Sequence, residues 1–138
     1  MPSVKFRDGR RAASIDVSAD RTVTVSDSGL VLNQTADGKV TTLPDATSAM
    51  PGFRIAVRLA GVKSTNGPAG AVSNASQGHS ISPHSSDKIV GYGQAGVTNK
   101  DMIMLAANMN VDDYVILVCN GVDSWYVQEA SEGWTFEA

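Results

Sequence analysis

The sequence predicts an all-β fold: a compact β-sandwich or barrel-like domain of about ten short, mainly antiparallel strands. Short apolar or alternating segments recur along the chain, separated by turn residues roughly every 8 to 12 positions. No segment carries a helical pattern longer than about two turns. Near the end of the chain, the apolar run Tyr114–Cys119, the turn Asn120-Gly121 and the run Trp125–Val127 form the pattern of a β-hairpin.

The first strands are predicted from alternation and from turn residues. Segments Ser14–Val17 and Thr22–Val25 alternate polar and apolar residues, which is typical of half-buried strands. Leu30–Leu32 follows, and the dipeptide Asp37-Gly38 predicts a hairpin turn that leads into Val40–Leu43. We therefore expect four strands in the first third of the chain.

The segment Phe53–Leu59 is predicted to be a strand with one buried face. Its side chains alternate between the two faces of a strand. One face carries Phe53, Ile55, Val57 and Leu59, and the other carries Arg54, Ala56 and Arg58. The arginine face is suited to an acidic partner, although a solvated sheet face is the simpler interpretation.

Residues 61–80 differ in character, because Gly, Ser, Asn and Ala replace most large apolar residues. They are predicted to form a long loop with a short strand around Ala71–Ser73. Short strands follow at Ile81, Ile89–Val90, Met102–Leu105 and Trp134–Phe136. We expect residues 14–138 to form a single β domain, preceded by an extended N-terminal arm of residues 1–13.

Two of the predicted strands are apolar on both faces. In Tyr114–Cys119 three apolar side chains point to each side, and Met102–Leu105 has the same property. A second sheet or another subunit must cover each such face. The residues expected at a subunit interface or in the core are Met102, Met104, Tyr114, Ile116 and Val118.

Charge is unevenly distributed along the chain. The first 13 residues hold Lys5, Arg7, Arg10 and Arg11 against a single acid, giving +3, and the remaining 7 basic and 13 acidic residues give −6. This basic arm is predicted either to dock on an acidic partner or to remain a solvated terminus. The net charge of −3 gives no overall attraction for nucleic acid.

The sequence also indicates the cellular compartment in which the protein is expected. No apolar run approaches the roughly 18 residues of a membrane span, and the N-terminus lacks the apolar segment of a secretory signal. The single cysteine, Cys119, cannot form an internal disulfide, which fits a reducing compartment. We expect a soluble protein made in the cytoplasm, with no membrane partner.

Few residues suggest chemistry. His79 and His84, with Asp87 nearby, are the best metal candidates, but solvated loop histidines are the simpler interpretation. Cys119 ends an apolar strand, which favours a buried thiol over a nucleophile. Because the common catalytic and phosphate-binding motifs are absent from the sequence, we expect no enzymatic activity, cofactor or resident metal.

Five segments together resemble a β module of tailed-bacteriophage virion proteins. They are Thr22–Gly29, Thr42–Pro44, Gly52–Val57, Asp87–Gly91 and Asp113–Val127. Each is a weak signal alone, but their order and spacing match a module that ends in an apolar strand, a turn and a Trp-Tyr return strand. The match covers about residues 20–128, most of the chain.

This resemblance implies a capsid decoration (cement) protein, because the chain consists almost entirely of the module and a short arm. A decoration protein is expected to form a homotrimer and to bind the major capsid protein on the outer surface of the phage head. The arm residues Lys5, Arg7, Arg10 and Arg11 are the expected capsid contacts. The same module also occurs in tail-fibre and baseplate subunits, where Trp125, Tyr126 and Trp134 would stack on sugars of a receptor.

Overall fold

The computed structural model describes residues 13–36, 38–60 and 78–138. Eleven strands are present there: β1 (Ala13–Val17), β2 (Arg21–Thr22), β3 (Leu30–Gln34), β4 (Lys39–Thr42), β5 (Arg54–Leu59), β6 (His79–Ser82), β7 (Lys88–Val90), β8 (Met102–Met104), β9 (Asp113–Cys119), β10 (Ser124–Ala130) and β11 (Trp134–Phe136). The short helix α1 (Ala46–Ala49) and the 3₁₀ turns Val25–Asp27 and Ala106–Asn108 lie between strands. None of these helical segments has the length and apolar character needed to cross a membrane.

The strands form two mixed sheets, which confirms the all-β class. One sheet has six strands in the order β1-β3-β5-β9-β10-β7, and the other has five in the order β11-β8-β6-β4-β2. Side chains from both sheets contribute to one buried apolar cluster. The core therefore lies between the sheets, as in a sandwich.

The expectation of mainly antiparallel pairing is wrong. Among the described residues, five of the nine strand pairs are parallel: β1 with β3, β3 with β5, β2 with β4, β4 with β6, and β7 with β10. From β1 to β9, consecutive strands alternate between the two sheets. From β1 to β6, each strand therefore pairs with the second strand after it in the chain, and these pairs are parallel.

The predicted hairpin at Asp37-Gly38 is wrong for the same reason. Strands β3 and β4 belong to different sheets, so Gly38 lies at a corner where the chain crosses from one sheet to the other. Gly38 has a positive φ of 70° and donates its N–H to the carbonyl of Gly78 at 2.9 Å. Asp37 itself lies outside the described residues. A glycine in the left-handed region serves a corner as well as a hairpin.

The hairpin of β9 and β10 is confirmed. These strands are antiparallel, with Trp125 opposite Cys119. The side-chain oxygen of Asn120 accepts the N–H groups of Val122, Asp123 and Ser124 at 2.8–3.0 Å, which satisfies the backbone of the turn.

The predicted strand Thr22–Val25 ends early. Strand β2 stops at Thr22, and the chain turns into a 3₁₀ segment. The buried carboxylate of Asp27 accepts the Thr24 N–H at 3.0 Å and two contacts from Arg21 Nη2 at 3.1 Å. These local bonds compete with the sheet ladder and end the strand.

The predicted alternation of β5 is confirmed. Phe53, Ile55, Val57 and Leu59 are at most 5% exposed, whereas Arg54, Ala56 and Arg58 are more accessible. Phe53 contacts the fully buried Trp125 edge to face, with ring centroids 5.5 Å apart.

Some expectations fall outside the described residues. The arm residues Lys5, Arg7, Arg10 and Arg11, the strand around Ala71–Ser73 and most of the predicted 61–80 loop are among them. The described part of that loop, from Gly78, leads directly into β6. Strand β1 begins at Ala13, one position before the predicted start of the domain.

Candidate interaction surface

The six-stranded sheet has an outer face that points away from the core, and apolar side chains occupy its centre. Strand pairing brings Val31, Ala56 and Ile116 into one row across β3, β5 and β9. A second row runs from Val118 on β9 through Tyr126 on β10 to Val90 on β7. Each of these side chains keeps part of its surface in solvent, and Tyr126 is 46% exposed. We call these six residues, with Tyr114, the outer apolar patch.

Polar side chains border the patch on one side in a continuous chain of hydrogen bonds. Asn33 donates to Asp16 at 3.3 Å and accepts from Arg58 at 3.1 Å. The other guanidinium nitrogen of Arg58 lies 2.6 Å from the Asp112 carboxylate. Parallel pairing of β1, β3 and β5 places the first three of these side chains opposite one another.

On the other side of the patch, a β-bulge supplies the polar groups. The register of β10 against β9 shifts between Val127 and Glu129. Gln128 accepts from Arg54 Nε at 3.2 Å, and Glu129 accepts the Tyr114 hydroxyl at 2.6 Å. Because of the extra residue in the bulge, the side chains of Gln128 and Glu129 can both contact residues of the outer face, although the two residues are adjacent in sequence.

The two arginines of this face differ electrostatically. Arg58 is paired with the carboxylate of Asp112, whereas the side chain that Arg54 bonds within the described residues is the neutral amide of Gln128. Arg54 therefore retains a positive charge at the edge of the patch. The hydrogen bond from the Tyr114 hydroxyl to Glu129, together with lesser effects of burial and of the Glu129 charge, raises the pKa of Tyr114.

The residues predicted for an interface or the core divide into two groups. Met102 and Met104 on β8 are 0% exposed and belong to the core between the sheets. Tyr114, Ile116 and Val118 point to the outer face and are half-buried. The structure thus brings the last three together with Val31, Ala56, Val90 and Tyr126.

The aromatic residues considered for sugar stacking are mostly inaccessible. Trp125 is 0% exposed, and Trp134 is 5% exposed with its Nε1 donating to the Tyr114 carbonyl at 3.1 Å. Tyr126 alone of the three presents its ring to solvent. Of the Trp-Tyr pair, Trp125 therefore packs in the core, whereas Tyr126 lies on the outer face of the sheet.

Cys119 is a buried thiol, as predicted. It is 2% exposed, its Sγ lies 3.4 Å from the Ala46 carbonyl, and it accepts the Gly121 N–H at 3.2 Å. Burial raises the pKa of the thiol. A thiol that is inaccessible and protonated at neutral pH is a poor nucleophile.

The structure separates His79 from His84 and Asp87, and the interpretation as a solvated loop histidine is wrong for His79. His79 is fully buried, and its Nε2 lies 2.8 Å from the Thr41 hydroxyl. Burial lowers the pKa of His79 to about 4. His84 and Asp87 lie instead beside Asp45, with one ligand atom of each residue within 4.8 Å of the others.

Sequence reasoning missed Asn33, Asp112, Gln128 and Glu129 as parts of the surface. Each bonds to a residue of another strand or loop, so its role depends on strand pairing. Arg54 and Arg58 were found because alternation along one strand is visible without pairing.

Comparison with known proteins adds no relative to the motif resemblance. No protein-family model matches this chain, and no curated protein matches it. The functional argument therefore depends on the outer face itself and on the order of the motifs.

Proposed function

We propose that this chain is a non-enzymatic virion structural protein: a capsid decoration, or cement, protein of a tailed bacteriophage. In this role it is made in the host cytoplasm, forms a homotrimer, and binds the major capsid protein on the outside of the head. The observation that carries the proposal is the outer face of the six-stranded sheet. Its apolar centre and polar border have the composition of a protein–protein contact.

The position of the motifs supports the proposal. Segments Gly52–Val57, Asp87–Gly91 and Asp113–Val127 contribute β5, β7, β9 and β10, which are neighbours in that sheet. The segments that resemble the phage module thus build four of the six strands of the candidate surface.

The chemistry of the patch also supports an interface. Tyrosine and arginine are enriched in protein contacts, and the face combines Tyr114 and Tyr126 with Arg54 and Arg58. The Tyr114 hydroxyl and one guanidinium nitrogen each of Arg54 and Arg58 already have partners within the chain. Covering the patch would therefore bury apolar area while leaving these three groups bonded.

Size indicates that this face is one of at least two contacts. Six strands span about 24 Å, and five to six residues of strand span about 18 Å, so the face measures roughly 430 Å². A standard interface buries about 800 Å² on each partner. In this proposal, the face joins subunits and the basic arm supplies the separate contact with the capsid.

Sedimentation of the purified full chain tests the assembly. A homotrimer has three times the 14.4 kDa of one chain. Ile116→Arg inserts a charge into the centre of the patch and is expected to shift the species toward monomer. Ile103→Arg is the matched control, since Ile103 is also half-buried but lies on the outer face of the five-stranded sheet.

Binding to purified, expanded phage heads tests the capsid contact. The double substitution Arg10→Glu with Arg11→Glu is expected to abolish binding while leaving the trimer intact. A chain that sediments as a monomer and does not bind heads contradicts the proposal. Glycan binding that disappears in Tyr126→Ala would instead favour a tail-fibre or baseplate receptor-binding module.

A further inference from the structure

A second site lies away from the outer apolar patch, where two loops meet at α1. Asp45 is the residue before α1, and His84 and Asp87 lie in the connection from β6 to β7. One ligand atom from each side chain lies within 4.8 Å of the other two. An imidazole and two carboxylates, contributed by two separate segments of the chain, therefore lie close together.

Asp87 is the residue that most clearly requires a partner. It is 1% exposed, and its Oδ2 accepts the Ala46 N–H at 2.8 Å. Within the described ranges, no other donor reaches this carboxylate and no lysine or arginine pairs with it. A buried carboxylate with a single hydrogen bond is costly unless a cation compensates it.

The other two side chains are held so that one ligand atom of each remains available. Asp45 Oδ1 accepts the Thr47 N–H at 3.0 Å and the Thr47 hydroxyl at 2.8 Å, which leaves Oδ2. His84 Nδ1 lies 2.9 Å from the Ser86 hydroxyl and accepts the Ser86 N–H at 3.3 Å, which leaves Nε2 as the other ring nitrogen. A metal at Nε2 requires the ring proton on Nδ1, which then donates to the Ser86 hydroxyl in place of the longer contact with the Ser86 N–H, as in protein metal sites where an outer group orients the histidine.

We propose that Asp45, His84 and Asp87 bind a divalent transition-metal ion of the zinc type. Ligand bonds of about 2.0–2.2 Å place tetrahedral ligand atoms about 3.4 Å apart, so the present separations, which are at most 4.8 Å, would shorten by no more than about 1.4 Å on binding. The imidazole favours zinc over calcium or magnesium, which prefer oxygen ligands alone. Two carboxylates and a neutral imidazole also balance the charge of the ion.

Such an ion would join the two connections and support the edge strand β7, which follows Asp87 directly. It would also neutralise the charge buried behind α1. The site involves none of the residues of the outer apolar patch, so it does not depend on the proposed assembly.

NMR of the full chain provides the sharpest test, because the protein has only two histidines. After treatment with EDTA, stoichiometric Zn²⁺ is expected to shift the ring signals of His84 and to leave those of His79 unchanged. Calorimetry should give one zinc per chain. Loss of outer-shell partners costs roughly 10–100-fold in metal affinity, so Ser86→Ala should weaken binding about tenfold and His84→Gln, which removes a ligand, by about 100-fold or more.

Controls separate this site from binding elsewhere. Asp45→Asn keeps the capping oxygen and should weaken zinc binding, whereas Asp112→Asn, an exposed acid on the other surface, should not. His84 is exposed, so His84→Gln should melt like the wild type in EDTA. Zinc that leaves the His84 ring unaffected, or that binds His84→Gln as tightly as the wild type, overturns the proposal.

Discussion

The two faces of β9 have similar compositions but different environments. Val115, Leu117 and Cys119 point inward and are 0–2% exposed. Tyr114, Ile116 and Val118 point outward and remain half-buried in the single chain. The inner set is explained by the core of the sandwich, whereas the outer set is more apolar than an isolated sheet face requires. This difference is the basis on which we propose that the outer face contacts another chain.

Truncation of one residue on each face is the strongest test of this comparison. Leu117→Ala removes a fully buried side chain and is expected to lower the free energy of unfolding by about 3 kcal/mol. Ile116→Ala, on the adjacent outer position, should cost about 1 kcal/mol because its side chain is already partly solvated. Urea denaturation, followed at protein concentrations too low for self-association, measures both. Equal losses would show that the two faces are not different environments.

The buried histidine provides the next largest effect. Burial lowers the pKa of His79 to about 4, and the nearby negative charge of Asp20 opposes this shift. Lys39 is the residue paired with His79 on the neighbouring strand β4. In the unfolded chain a histidine titrates near its ordinary value of about 6.5. Between these pH values only the unfolded state binds the proton, so stability falls as pH decreases from about 6.5 to about 4, by about 3 kcal/mol in total.

Two histidine variants separate the contribution of His79 to the pH dependence of stability from the contribution of the carboxylates. His79→Gln should lose stability at pH 7 and show a flatter stability profile between pH 6.5 and 4. His84→Gln in EDTA, which replaces an exposed histidine, is the matched control for the loss of a histidine. A His79→Gln profile parallel to that of the wild type would place the pH dependence in other groups.

Local patterns predicted the local features of the fold. The alternation of β5 assigned each side chain to its face, because a period of two needs no partner strand to be recognised. Asn120-Gly121 predicted the β9–β10 hairpin. Asp37-Gly38 predicted another hairpin and was wrong, since the same turn chemistry serves a crossing between sheets. Parallel pairing depends on which sheet, and which position in that sheet, each later strand joins, and no local sequence pattern specifies this.

In the candidate sites too, groupings within one segment could be predicted, whereas contacts between distant segments could not. His84 and Asp87 are three residues apart and could be grouped from the sequence. Asp45 joins them only because α1 starts beside the β6–β7 connection, where the Ala46 N–H bonds to Asp87. In the same way, Asp16, Asn33 and Arg58 become neighbours through the register of three parallel strands. Contacts between distant segments were therefore the part that could not be predicted.

The hairpin turn fixes which residues of β9 face outward, and Gly121 is its most constrained position. Its φ is +78°, and a Cβ there would lie 2.5–2.7 Å from atoms of Pro51. Gly121→Ala is therefore expected to cost about 2 kcal/mol, from backbone strain and from displacement of Pro51. Gly38→Ala is the matched control, because it has a similar φ but no atom within 4 Å of the added methyl group, and should cost less. Thermal melts of both variants measure the difference, and equal losses would mean that the contact with Pro51 is unimportant.

The smallest expected effect concerns the polar border of the outer face. The hydroxyl of Tyr114 donates to Glu129 at 2.6 Å, and this bond, together with the negative charge, raises the pKa of the phenol. Glu129→Gln removes the charge and should lower the Tyr114 pKa toward its ordinary value of about 10. Ultraviolet titration of the phenolate, with Tyr114→Phe to assign the transition, measures the change. If the outer face becomes a subunit contact, the same titration in the assembled protein should show a further rise, since a covered phenol ionises less readily. A Tyr114 pKa that does not differ between the monomer and the assembly would place the contact elsewhere on the molecule.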